Sequence, residues 1–285
     1  PSAAAVRTRA DHTNNVEQVF VGQADGLEPG IWTVIVTKYS VPSGELQPFS
    51  LVASGLQQAP LPPLYVAPSG GEANSGRSPS DALPSIQQAL DYASDGDEIR
   101  LAQGTWAGYG FRLTATPVHP YVSVSLSGGW TPDFSTSVDD PALTTINASR
   151  QGSIFILHAT QATLRLSLSR LTLTNGLAGP DLGQGGAIRA TADDGTVELT
   201  LTQNRFVSNE GEDGGAIHLT ATYGSLFATL ERNEITHNRA SHEGGGIRMY
   251  ANNVGRVIAT LIDNTFANNV AGEFGGGVHA YSGSG

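Results

Sequence analysis

Apolar and polar residues alternate in short runs separated by Gly and Asn through most of the chain, and from about residue 155 this pattern recurs. An apolar residue follows each Gly pair in steps of 29, 30 and 31, at Ile188, Ile217, Ile247 and Val278. A second marker steps by 29 and 31, at Asn209, Asn238 and Asn269. Separate markers that keep one spacing indicate an internal repeat of about thirty residues.

One such repeat cannot bury its apolar face alone, whereas stacked repeats bury it and pair each strand with the next coil. The leucine-rich frame is missing and propeller repeats are longer, so the period favours a parallel β-helix. We therefore predict an all-β chain with a right-handed parallel β-helix over residues 64–285 and its repeats over about 155–285.

Gly and Asn are expected to shape the corners of the coils. Gly tolerates the positive φ that a tight corner requires, and stacked Asn side chains can bond to one another and to the backbone. The Asn residues of this structural set are the three already named, and its Gly residues are Gly185, Gly186, Gly214, Gly215, Gly244, Gly245, Gly275 and Gly276.

A single short helix is predicted in a capping region at 64–110, ahead of the repeats. Its apolar face has the spacing i, i+3, i+4 and i+7, at Ile86, Ala89, Leu90 and Ala93. Ser80 or Asp81 is the expected N-cap, and Asp95-Gly96 ends the helix. Such a helix would cover the unpaired edges of the first coil.

The amino-acid composition argues against several classes of function. The net charge is −11 with only 14% charged residues, which argues against nucleic acid because phosphate neutralisation supplies most of that affinity. There is no Cys, so disulfides and thiolate metal sites are excluded. No apolar run is long enough to span a bilayer. Both ends look like cuts in a longer protein, so we expect further coils after Gly285.

The frame Asn-x-apolar-x-x-Asn followed by GG[AG][IV] resembles the repeats of bacterial right-handed parallel β-helix proteins, notably those of the chlamydial polymorphic outer-membrane type. The stretch YVAPSG…DALPSIQQALDYASDGDEIRLAQGTW is similar to the opening of pectin-lyase-like solenoids. These resemblances imply a bacterial protein that is secreted or held at the cell surface.

Residues 1–55 are predicted to be a partial antiparallel β-sandwich, joined by a Pro-rich linker at 56–63. The segments DHTNNVEQVF and EPGIWTVIVTKYSVPSGELQPFSLVASG resemble the end of the β-sandwich that follows many subtilisin-like protease domains. That resemblance implies that this chain is the C-terminal accessory region of a secreted peptidase whose catalytic domain lies outside it.

Candidate chemistry lies beside the repeat markers. The residue after each apolar marker forms a basic column, which alternation along a strand places on the outer face: Arg189, His218, Arg248 and His279. An acidic column is expected next to it, made of Asp213, Glu243 and Glu273.

Four interpretations of these columns stay open. They could neutralise each other as exposed ion pairs of little energetic value, or form a face for an acidic or hydroxyl-rich polysaccharide. They could act on a uronide, as in lyases and hydrolases of the pectin-lyase-like fold, or bind calcium. We assign no catalytic residue and no metal. The leading hypothesis is a non-catalytic extracellular stalk or an adhesion module that binds glycans.

Overall fold

The computed structural model of the 285-residue chain describes residues 62–179 and 183–283. The predicted β-sandwich at 1–55 and nearly all of the predicted linker lie outside the described residues. From Leu64 onward the chain forms a parallel β-solenoid of about 7 turns, which confirms the predicted stacking of parallel coils. Each complete coil contributes one strand to each of three long sheets, and the later coils add a short strand at one corner.

The first sheet has seven strands, all paired in parallel. In chain order its strands are β1 (Leu64–Val66), β2 (Asp97–Ala102), β5 (Tyr121–Trp130), β8 (Thr163–Ser169), β11 (Thr196–Thr202), β15 (Ser225–Glu231) and β19 (Arg256–Ile262). Alternate residues of β11 are buried, as expected for strands with one face in the core.

The second sheet has six shorter strands, each of which follows the first-sheet strand of its own coil. These strands are β3 (Gly104–Ala107), β6 (Thr144–Asn147), β9 (Thr172–Thr174), β12 (Arg205–Val207), β16 (Glu234–Thr236) and β20 (Thr265–Ala267). A three-stranded corner sheet follows it, with strands β13 (Glu210–Gly211), β17 (Arg239–Ala240) and β21 (Val270–Ala271).

The third sheet also has six strands and carries the candidate site. Its strands are β4 (Phe111–Ala115), β7 (Phe155–Thr160), β10 (Ile188–Asp193), β14 (Ile217–Thr222), β18 (Ile247–Asn252) and β22 (Val278–Ser282). The apolar markers stack inward, with Ile188 and Ile217 fully buried. Burying such a side chain stabilises the fold by about 1.5–3 kcal/mol, which fixes the register of each strand.

In the described residues one α-helix, Ile86–Tyr92, precedes β2, and two 3-10 helices lie at Pro79–Asp81 and Pro141–Leu143. The expected N-cap is wrong: Ser85 is the cap, with its Oγ accepting a hydrogen bond from Gln88 N at 3.2 Å. Pro79 starts a separate 3-10 turn, and Ala82 returns the chain to extended backbone before the α-helix begins.

Two ladders of buried Asn side chains run along the corners on either side of the second sheet. In one, Asn238 Oδ1 accepts from Asn209 N at 2.9 Å and from Asn209 Nδ2 at 3.0 Å. Asn238 Nδ2 in turn donates to Phe206 O in the coil before. Asn204, Asn233 and Asn264 make the other ladder in the same way. The ladders thus satisfy polar backbone groups inside the corners.

The Gly pairs serve two different purposes. The first Gly of each pair has positive φ, with 64° at Gly214 and 66° at Gly244. The second Gly allows close stacking, since a Cβ on Gly215 would lie 2.3 Å from Gly245 O in the next coil. One residue therefore makes the turn, and the other keeps the coils at strand spacing.

Candidate functional site

The basic column is aligned in the third sheet. Arg189 is paired in register with His218, His218 with Arg248, and Arg248 with His279, so neighbouring members lie about one strand spacing, 4.8 Å, apart. The column also extends toward the N-terminal end of the solenoid, because Ile156 pairs with Arg189 and Arg112 pairs with Ile156.

Exposure differs along the column, which corrects the expectation of a uniform outer face. His218 is 1% exposed and Arg248 is 9% exposed, whereas Arg189 and His279 are partly exposed. The Gly turn of each coil also lies close to the backbone of its own column residue, since a Cβ on Gly214 would lie 3.0 Å from His218 N. The ion pair between Arg248 and Glu243, in the middle of the column, is mostly buried.

His218 is buried without a complete set of partners. Its Nδ1 lies 3.0 Å from Thr220 Oγ1, and its Nε2 has no hydrogen-bond partner among the described residues. Burial lowers the pKa of His218 to about 3, and the positive charges of Arg248 and Arg189 add to the shift. The imidazole is therefore neutral at physiological pH, and it separates two arginines.

Arg248 is the centre of a charge cluster. Its Nε donates to Glu243 Oε2 at 2.7 Å and lies 3.6 Å from Asp213 Oδ2. Burial raises the pKa of Asp213 in spite of that cation. Burial also opposes ionisation of Glu243, but the hydrogen bond and charge of Arg248, with His279, outweigh it and lower the pKa of Glu243. Arg248 is thus neutralised within the protein.

The last member of the column has a different neighbour from the one expected. His279 Nδ1 lies 3.1 Å from Glu243 Oε2, outside hydrogen-bond geometry. Its ring stacks on Phe274, with the centroids 5.8 Å apart. Phe274 pairs with Glu243 across the coils and takes the next place in the acidic column. The assignment of Glu273 to that column is therefore wrong, because the exposed Glu273 is one residue out of register.

The acidic column also changes at its other end. In the coil of Arg189 the residue directly before the Gly pair is Gln184, which pairs with Asp213 of the next coil. Arg189 consequently has a neutral amide at the place where Arg248 has Glu243. Burial and the like charge of Arg112 both lower the pKa of Arg189, with no contribution from a carboxylate. Arg189 is a partly desolvated cation without an acidic partner among the described residues.

Two acidic residues outside the column have structural roles. Asp140 caps a 3-10 helix by accepting from Ala142 N at 2.9 Å, and Asp194 lies in a turn with φ 55°. Nowhere in 62–179 and 183–283 do three His, Asp or Glu side chains converge in a way that could hold a metal ion. The two carboxylates that do converge, Asp213 and Glu243, share Arg248.

The chain was compared with family models, curated proteins and solved structures. No family model, curated protein or solved structure matches the chain. The single α-helix of the described residues has seven residues, and no helix there is long and apolar enough to cross a membrane.

Sequence reasoning missed the N-terminal part of the column. The steps from Arg112 to Ile156 and from Ile156 to Arg189 are 44 and 33 residues, so the regular period does not reach them. The insertion between β5 and β6 lengthens the coil that runs from Arg112 to Ile156. The signal that could have found Arg112 is its place after an apolar residue, Phe111, in the strand motif FRLTA, which parallels IRATA at Arg189.

Proposed function

We propose that residues 64–285 are a right-handed parallel β-helix of the pectin-lyase-like type. In this proposal the β-helix is a non-catalytic stalk or adhesion module of a secreted or surface-exposed bacterial protein. Its ligand is an acidic polysaccharide, bound along the outer face of the third sheet. Support comes from the parallel solenoid, the in-register basic column and the repeat frame.

The observation that carries the binding proposal is the charge of Arg189, which no carboxylate among the described residues compensates. The chain as a whole carries −11, and yet Arg189 is partly buried beside another cation, Arg112, with a neutral Gln184 in the carboxylate position. Desolvating a cation without a partner costs free energy that an anionic ligand would recover. If Arg189 belonged to a structural ion pair of the same kind, residue 184 would be a carboxylate, as Glu243 is for Arg248.

The same geometry argues against catalysis by the acidic column. Hydrolysis of a glycoside needs one carboxyl group as an acid and another as a base or nucleophile, both facing the substrate. Here Glu243 and Asp213 both face Arg248, whose side chain is 10% exposed. These carboxylates neutralise a buried cation and hold the coils together.

A glycan array of acidic and neutral polysaccharides, probed with the full chain at several salt concentrations, tests the proposal. We expect retention of acidic glycans that weakens as salt rises, because exposed charges are screened. Absence of retention on every acidic glycan would reject glycan binding. New reducing ends or an unsaturated product on those glycans would instead show an enzyme.

A further inference from the structure

The start of the third sheet presents a compact group of side chains that differs from the rest of the column. Three adjacent strands, β4, β7 and β10, place Arg112, Ile156 and Arg189 in one row. Strand spacing puts the two arginine Cα atoms about 10 Å apart with the apolar residue between them. Arg112 is exposed, while Ile156 and Arg189 are partly exposed, so the whole row is open to solvent.

A second row runs parallel to the first on the same outer face. It consists of Thr114, His158 and Thr191, two residues further along each strand and hence about 7 Å away. Thr114 and His158 are exposed, and His158 Nε2 lies 3.1 Å from Thr160 Oγ1. This row offers two hydroxyls and an imidazole beside the cationic row.

The combination of the two rows defines the ligand by its chemistry. Guanidinium groups bind carboxylate and sulfate through paired, charge-assisted hydrogen bonds. An apolar side chain between them suits the C–H face of a sugar ring, and Thr hydroxyls and imidazole nitrogens exchange hydrogen bonds with sugar hydroxyls. We infer that these six residues form a binding site for a charged sugar, whose carboxylate or sulfate is held by Arg112 and Arg189.

The site has a structural boundary. The next residue in the cationic row is His218, which is buried and neutral, and the one after it is Arg248, which Glu243 neutralises. The site therefore ends at Arg189 and does not continue along the whole basic column. This inference rests on the proposed function and narrows it to one end of the third sheet.

The chain offers a test that leaves every proposed ligand contact in place. Gln184→Glu puts a carboxylate at the position from which Glu243 pairs with Arg248 in a later coil. We expect this carboxylate to form an ion pair with Arg189 and to weaken ligand binding about tenfold or more. We expect Arg189→Gln to weaken it by a similar factor. The matched control is Arg165→Gln, which removes an arginine from the outer face of the first sheet.

Binding of the full chain is measured by biolayer interferometry on a polyuronate, a sulfated polysaccharide and a neutral polysaccharide. The inference is supported if one charged polymer binds, if Gln184→Glu, Arg112→Gln and Arg189→Gln all weaken it, and if Arg165→Gln does not. The two charged polymers distinguish carboxylate from sulfate as the recognised group. Circular dichroism and thermal unfolding confirm that each variant is folded.

Three outcomes overturn the inference in different ways. If charged polymers bind but the three variants bind as tightly as the wild type, the site lies elsewhere and the proposed function survives. If no charged polymer binds, both the site and the proposed function fail. Equal binding of the neutral polymer would show that the arginines do not select the ligand, and it would also overturn the inference.

Discussion

The Asn ladders and the basic column share one register and one coil spacing, but they use it in opposite ways. In the ladder through Asn209, Asn238 and Asn269, the same residue recurs and each amide bonds to the next. In the column the residue changes from Arg to His and back, and the residue before the Gly pair changes from the neutral Gln184 to the acidic Asp213 and Glu243. Repeated identity therefore marks the corners of the solenoid, and changing identity marks a row whose members differ in burial and in ion pairing.

The largest expected effect is on the ladder. Asn238→Ala removes the acceptor for Asn209 N and Asn209 Nδ2 and the donor to Phe206 O, all of them buried. Each buried polar group without a partner costs about 1–3 kcal/mol, so we expect a loss of roughly 3–5 kcal/mol in the free energy of unfolding.

Chemical denaturation measures this loss, and Asn252→Ala is the control. Asn252 is partly exposed, and its side chain accepts one local hydrogen bond, from Asn253 N. Its replacement is expected to cost about 1 kcal/mol or less. Equal losses in the two variants would show that the ladder contributes no more than an ordinary surface Asn.

The repeats were predictable from the sequence because one coil dictates the next. A fixed period pairs Ile188 with Ile217 in the next coil whatever the surrounding residues are. Their burial follows from the alternation of inward and outward side chains along each strand. The exposure of the column was not predictable, because alternation along a strand gives the face of a residue and not how closely the neighbouring coils pack around its side chain. The place of Arg112 in the column was missed for another reason. Its coil is enlarged by an insertion, so the repeat spacing does not predict its register, and only the strand pairing with Ile156 shows it.

Within the column, Arg248 and Arg189 are expected to respond differently to the same substitution. Arg248→Gln leaves Glu243 and Asp213 facing each other without their shared cation, which we expect to cost about 2–3 kcal/mol. Arg189→Gln removes a partly buried cation that lies near Arg112, so its effect is expected to stay within about 0.5 kcal/mol of zero or to be stabilising.

Denaturant unfolding of the two variants, at the same pH and salt concentration, makes the comparison direct. A cost for Arg189→Gln as large as that for Arg248→Gln would mean that Arg189 has a structural partner. It would also remove the basis for the binding site at Arg112 and Arg189.

The buried His218 predicts a specific dependence of stability on pH. Its pKa falls from 6.5 in the unfolded chain to about 3 in the fold, so the unfolded state binds more protons between these values. The contribution is fully present above pH 6.5 and is lost as pH falls, with a slope of up to about 1.4 kcal/mol per pH unit. We expect His218→Leu to remove this part of the acid sensitivity and to leave stability at pH 7 unchanged or higher.

Unfolding free energies measured from pH 7 to pH 4 test this dependence. The difference between His218→Leu and the wild type should grow steadily in favour of the variant as the pH is lowered. His119→Gln removes an exposed imidazole from a turn and serves as the control. A constant difference across the range would show that His218 does not remain neutral in the folded protein.

The smallest expected effect is a gain, and it makes the coil of Arg189 resemble the coil of Arg248. Gln184→Glu supplies the missing carboxylate, so we expect a rise of about 0.5–1 kcal/mol in the free energy of unfolding, the scale of a partly exposed ion pair. Adding Arg189→Gln should cancel the gain, and the double-mutant cycle isolates the pair from other consequences of the new charge. The gain should also shrink at high salt, since screening weakens an ion pair that water can reach. If Gln184→Glu stabilises the protein equally in the presence and absence of Arg189, the new carboxylate has found a partner other than Arg189.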